Sequence, residues 1–343
     1  MKSPRRSIVV PLAAFFAVTP LIAPVIARGA TGPSQDPKSG QASSTPENQP
    51  SQPSGRSYVD YSLPALKRAV PAIEGLTPDS NGDKLPHILE AMADRIAEIV
   101  PRLPDLISQE EVYRSQGQFG PSTPQQLVIL AQHGETGPVS PTTITPQGAR
   151  GREFRYLILC HHTAAGITVE ESRTDPKGHP VKSISGDTNP LGSGFAYQWL
   201  LFSSANQPEF RFRYLGEQEV DGRKTFVIAF AQTPDRVKVP AVFQSGGKQV
   251  PYFYQGILWV DQATFDIVFL RTDLLAPLQS LKLTGLTTEL HFRSVRIHDL
   301  DSSFWLPSQV HMVIEQGKSE IVEVHEYSNY HLYRTSTTIV PEQ

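Results

Sequence analysis

From Phe210 onward the chain alternates apolar and polar side chains with a period of two. Phe210, Phe212 and Tyr214 fall on one face of an extended segment, and Phe226, Ile228 and Phe230 on one face of the next. Between them, Val220-Asp221-Gly222-Arg223 carries the Asp-Gly pair of a two-residue hairpin. Its primed turn needs positive φ, which Gly accepts without steric cost. The same alternation predicts further strands at 126–131, 154–161, 168–173, 256–260, 267–273, 288–297, 309–315 and 321–333. Short links between consecutive strands imply mostly antiparallel pairing.

The pattern changes upstream. Leu85, Ile88, Leu89, Met92, Ile96, Ile99 and Val100 repeat at three and four residues, with Glu90, Asp94 and Glu98 on the other side, which predicts an amphipathic helix. Asp83 stands where an N-cap belongs, Pro86 is tolerated in the first turn, and Pro101 stops the helix. A shorter helix is predicted over 64–70, where Leu66 and Val70 continue the spacing from Leu63. A third, over 195–202, is rich enough in Leu, Trp and Phe to be buried or to act as a lid on an apolar cavity.

The first thirty residues follow neither pattern. A cationic start, Met1-Lys2-Ser3-Pro4-Arg5-Arg6, precedes an apolar run from Ile8 to Ile26, the layout of a signal peptide with cleavage after Ala27 or Ala30. Pro11, Pro20 and Pro24 make the run a poor spanning helix, although an uncleaved anchor is the alternative. Arg5-Arg6 matches a twin-arginine signal only weakly. Residues 31–57 are Pro, Ser, Gln and Gly with almost no large apolar side chain, so they cannot bury enough surface to offset the entropy of ordering and read as a disordered tether.

Composition narrows the function. With 31 basic and 34 acidic side chains the chain has no electrostatic footprint for phosphate backbones, which argues against nucleic acid. Cys160 is the single cysteine, so no internal disulfide exists and stability must come from the core. Within an apolar strand it reads as an inert small hydrophobe.

Candidate chemistry is thin. Cys160-His161-His162 looks like a metal cluster, but neighbouring strand residues point to opposite faces and no second Cys completes a thiolate site. His291, His298, His311, His325 and His331 are scattered over the last strands, and Glu323 shares a face with His325 without forming a known zinc motif. Gly192-Ser193-Gly194 is not a nucleophile elbow. The stretch 186–192 lacks the Lys of a phosphate-binding loop. No catalytic residue, metal ligand or cofactor is therefore assigned, and a hydrolase built from the late histidines and Glu323 is the weaker rival.

Three segments carry a resemblance. Gly216-x-x-x-Val220-Asp221-Gly222-Arg223-x-x-x-Val227, then Ile257-Leu258-Trp259-Val260-Asp261-x-x-Thr264-Phe265-x-Ile267, then Phe304-Trp305-Leu306-Pro307-x-x-Val310 together resemble the lipoprotein-localisation-factor superfamily of LolA-like carriers and RseB-like sensors. The resemblance spans about 216–310 and implies an antiparallel half-barrel around a few helices, with a cavity for acyl chains or a lipoprotein. Relative to the carriers this chain is longer and has an extended linker over 274–286.

The expected organisation is a signal peptide over 1–30, the tether over 31–57, a helical part over 58–120 and a half-barrel domain over 121–343. The expected fold is α+β, a strongly curved antiparallel sheet, unclosed, with helices on its concave side. The expected role is non-enzymatic binding of a lipid, an acyl chain or another apolar ligand, or of an envelope protein, in the periplasm. Phe226, Ile228, Phe230, Leu258, Trp259 and Phe269 are the candidate ligand-binding residues, and ordinary core packing is the alternative for each. A structural or partner-binding envelope protein without a lipid ligand is the second reading.

Overall fold

The alternating segments form strands in the computed structural model, which describes residues 56–118, 151–163, 166–181, 195–298, 300 and 302–334. In chain order the elements are α1 (Leu63–Ala69), β1 (Thr77–Pro78), α2 (Lys84–Ile99), β2 (Leu106–Gln118), β3 (Arg152–Thr163) and β4 (Gly166–Thr174). They continue with β5 (Phe210–Val220), β6 (Arg223–Gln232), β7 (Ala241–Ser245), β8 (Lys248–Tyr252), β9 (Tyr254–Asp261) and β10 (Ile267–Leu274). The last three are β11 (Leu283–Arg296), β12 (Ser303–Gln316) and β13 (Ser319–Leu332). The apolar run and most of the tether expected from the sequence, and the strand expected at 126–131, lie outside the described residues.

Eleven strands make one antiparallel sheet in the order β1-β5-β6-β9-β10-β11-β12-β13-β2-β3-β4. The run from β5 to β13 is a meander, interrupted by the separate β7–β8 hairpin. The earlier strands β2, β3 and β4 then extend the sheet beyond β13. The two edges, β1 and β4, do not meet, so the sheet is an unclosed half-barrel of the α+β class. β2 belongs to the sheet, although the sequence placed 106–118 within the helical part.

Turn chemistry sets the first hairpin. Val220 faces Arg223 across a two-residue loop, and Asp221 and Gly222 have φ of 50° and 73°, both positive as a type I′ turn requires. A bulge between Tyr214 and Gly216 then moves the alternation by one residue. As a result Tyr214 and Val220, an even number of residues apart, pack on opposite faces.

The core lies on both faces. On one face α2 and the short helix Gln198–Phe202, wound as a 3-10 turn, pack on Ile228, Phe230, Leu258, Leu270, Leu290 and Val310. Ile88, Met92, Ile96 and Ile99 supply the buried stripe of α2 at the predicted spacing. On the opposite face α1 and the turn after it bury Leu66, Val70 and Ile73 against Val227, Ala229, Ile257 and Trp259. The β7–β8 hairpin seals the far end of the first face through Phe243, which packs on Leu286, Met312 and Ile314. Asp83 occupies the N-cap position of α2 but is exposed and makes no side-chain cap bond.

Candidate binding crevice

The β9–β10 turn is built around one carboxylate. Asp261 Oδ1 accepts from the backbone N–H of Ala263 at 2.8 Å and of Thr264 at 2.9 Å, and from Thr264 Oγ1 at 3.3 Å. Its other oxygen accepts from Arg223 at 2.9 Å. The closed turn puts Phe265 at φ 58°, where its ring stacks on Phe226 with centroids 6.3 Å apart. Asp266, next in the chain and buried, accepts from Arg95 Nε of α2 at 2.9 Å. This ion pair ties the helix to the turn.

Beside the tie is a small crevice with a cavity volume of about 20 Å³. Met92, Ile96 and Ile99 form its helix wall, Phe265 and Ile267 its turn wall, and Trp199 and Trp305 close it. Trp199 is buried, and among the described residues its Nε1 has no hydrogen-bond partner. Arg223 lies over the Trp305 ring, 4.9 Å from its centroid. The crevice is therefore mostly apolar, with an ion pair nearby. Such a lining can exclude water from an apolar group.

The six residues singled out from the sequence do not share this lining. Ile228, Phe230 and Leu258 are fully buried beneath α2 and the 3-10 turn, and Phe226 packs partly buried at the border of the same core. Trp259 and Phe269 lie on the opposite face under α1, their rings stacked 4.3 Å apart. Trp259 Nε1 donates to Gln218 Oε1 at 3.1 Å. The set is thus split between two packed cores. The crevice residues had separate sequence signals, the helical period of Met92, Ile96 and Ile99, the aromatic run at 195–202 and the segments holding Phe265, Ile267 and Trp305, but nothing joined them. Arg95 and Asp266 had none, being 171 positions apart.

A second cluster is charged and closed. Glu110, with no exposed surface, accepts from both Arg173 Nε and Nη2, from Tyr327 Oη at 2.8 Å and pairs with His325 Nδ1 at 2.9 Å. Burial alone would raise the Glu110 pKa, but the guanidinium of Arg173 and the His325 bond hold it at about 2. Burial likewise opposes charge on His325, yet its contacts with Glu110 and Glu323 push its pKa up. Arg173 also lies 4.6 Å from the Tyr156 ring centroid. Four donors on a carboxylate without solvent contact leave it no access to a substrate. His325 and Glu323, the pair that a hydrolase reading would use, are enclosed in the same way.

Other candidates are also accounted for. His161 lies 3.4 Å from Glu170 across the β3–β4 pair, and His162 Nε2 contacts the Leu103 carbonyl at 3.2 Å, so the two imidazoles diverge. Burial pushes the Cys160 thiol up to about 12. His291 is stacked on Phe269 at 4.2 Å, and burial lowers its pKa. The stretch 186–192 and Ser193 lie outside the described residues.

No protein-family model matches the chain, and no curated protein matches it. Solved structures that the chain resembles include a DUF1329 family protein from Desulfovibrio piger, at 13% identity over 72% of this chain and 92% of that one, with a TM-score of 0.34. Another is a domain described as an outer membrane lipoprotein-sorting protein from Vibrio parahaemolyticus, at 14% identity over 71% of this chain and 91% of that one, also with a TM-score of 0.34. At these values both are loose likenesses.

Proposed function

We propose that the protein is a non-enzymatic envelope protein that takes an apolar, lipid-like group into the crevice between α2 and the β9–β10 turn. The observation that carries this reading is the apolar lining of the crevice, where Met92, Ile96 and Ile99 stand against Phe265, Ile267 and the two tryptophans. The cationic start and the apolar run after it support export to the envelope.

Volume limits the ligand. The cavity volume of about 20 Å³ has room for little more than one water-sized group, far below the roughly 300 Å³ at which small-molecule pockets begin. A chain end would enter only if α2 or the turn moved apart. The filled cores beneath α2 and α1 favour a second reading, a partner-binding envelope protein whose ligand is a protein rather than a lipid.

Intrinsic fluorescence separates these readings. Titration with a long-chain fatty acid or lysophospholipid should give a saturable change that Trp199→Phe greatly reduces and Trp259→Phe leaves intact, since Trp259 lies on the other face. A saturable response carried by Trp259 would move the site to the α1 face. If no apolar ligand produces a saturable change, the partner-binding reading replaces the lipid one.

A further inference from the structure

Residues 195–202 cross the sheet as a strap whose two ends are held by different chemistry. At the far end Phe202 packs among aromatic rings, its centroid 5.4 Å from that of Phe210 and 5.0 Å from that of Phe230. The near end is held by polar contacts. Phe195 N–H donates to Tyr156 Oη at 3.2 Å, and the Phe195 ring stands edge-on to His325 with centroids 5.5 Å apart. The backbone N–H groups of Phe195 and Ala196 face the Glu171 carboxyl, and the Tyr197 hydroxyl faces Cys160. Phe195, Ala196 and Tyr197 are all buried, so they cover this part of the sheet.

Glu171 sits under the near end without a cation of its own. It shares the inner face of β4 with Arg173, but both Nε and Nη2 of that guanidinium are taken by Glu110 of β2. On β3 Tyr156 and Cys160 flank its cross-strand neighbour Ile158. On β13 Tyr330 and Tyr327 offer hydroxyls, and His325 is committed to Glu110 and Glu323. Glu170 and His161 pair on the opposite face. Glu171 Oε2 is enclosed, and burial raises the pKa of the group to about 8. Beneath the closed strap the neutral acid is therefore the stable form, whereas a carboxyl reached by water ionises in its ordinary range.

We propose that residues 195–202 form a proton-linked strap: closure of the near end on β3, β4 and β13 requires a neutral Glu171, and ionisation of that carboxyl releases the end while Phe202 stays seated. The open form ionises at the ordinary carboxylate value and the closed form near 8, so each pH unit between the two favours opening by about tenfold. Above 8 the effect levels off. The strap is thus tightest in acid. This device does not depend on whether the crevice takes a ligand, although Trp199, carried on the strap, lines it.

Amide exchange in the full chain between pH 5 and 8 tests the strap. The Phe195 amide, bonded to Tyr156, and the Leu200 amide, bonded to the Tyr197 carbonyl, are the reporters. Corrected for the intrinsic rate, their protection should fall by about tenfold per pH unit. It should also depend less on urea than that of the Leu258 amide in β9, as a local opening requires. In Glu171→Gln, which keeps the shape of the neutral acid, the protection should be level with pH. If that variant does not fold, the profile of the unmodified protein decides alone. Protection level with pH in the unmodified protein, a fall that persists in Glu171→Gln, or exchange of Phe195 and Leu200 only together with Leu258 would overturn the proposal.

Discussion

Gly216 has φ of +139°, and a methyl group placed on it would lie 2.1 Å from the Thr77 carbonyl oxygen and 2.9 Å from the Pro78 Cα. Both belong to β1, which pairs with β5 at this position and is held further by the Asp79 N–H on the Leu215 carbonyl at 3.1 Å. A side chain would therefore strain the backbone and push β1 off the sheet edge. Gly216→Ala should destabilise the fold by about 2 kcal/mol, the middle of the range for a forced conformation. Urea unfolding measures this, and hydrogen exchange should show the Asp79 amide losing protection first. An unchanged midpoint with Asp79 still protected would mean that β1 adapts to the side chain. The same scale explains why burial is a poor guide to the site. Trp199 and Trp259 are both buried, but Trp259 has a hydrogen-bond partner and a stacked ring, while Trp199 lines the crevice and its Nε1 has no partner among the described residues.

At the scale of elements, the β5–β6 hairpin tests turn chemistry without interference from packing. Gly222 is exposed, and a Cβ there would meet nothing within 4 Å, so substitution costs only conformation. Gly222→Val should lower stability by about 1 kcal/mol or more, and Gly222→Asn, which accepts positive φ, by less. Equal thermal midpoints for the two variants would contradict a conformational origin. This hairpin, the strands from β9 to β13 and both helices were legible because their buried residues are apolar at the period of the element. β2 was not. Its inward positions include Ser108, Glu110 and Arg114, which read as a solvated surface until Arg173 and His325, 63 and 215 positions away, supply the partners of Glu110. β7 and β8, at five residues each, are too short for alternation to stand out. For the candidate site the difficulty was different. Leu258 and Trp259 are consecutive in β9, and a period of two already sends them to opposite faces. Grouping them required a cavity on one side, whereas the sheet has a helix-covered core on each.

For the whole molecule, each face of the sheet carries a buried ionic cluster, and together they set how stability depends on pH. On the α1 face Arg271 donates to Asp273 at 2.8 and 2.9 Å and to Glu289 at 2.7 Å, and Thr287 donates to Asp273 at 2.6 Å. Burial alone would raise the Glu289 pKa, but His311 and Arg271 hold it at about 2, matching Glu110 on the other face. As pH falls from the ordinary carboxylate range toward 2, the unfolded chain binds protons that these two groups refuse, so stability is lost through that window. Glu171 behaves oppositely. Its Oε2 is enclosed although the residue is half-buried, and burial raises its pKa to about 8 against the opposing pull of Arg173. Between the ordinary carboxylate value and 8 the folded chain keeps a proton that the unfolded chain has released, so stability declines as pH rises. His325, also raised, adds to that decline, since its contribution is complete below the ordinary imidazole value and is lost as pH passes the elevated one. The thermal midpoint should therefore peak below neutrality, although His291, whose pKa burial lowers, works the other way as pH rises through the imidazole range. Glu171→Gln should flatten the fall above the peak, and Glu289→Gln should flatten the fall below it while lowering the maximum, because it leaves the partly buried Arg271 with less compensation. A midpoint that is level from pH 5 to 8 in the unmodified protein would show that Glu171 is ionised in the fold and that the enclosure of its carboxyl is incomplete.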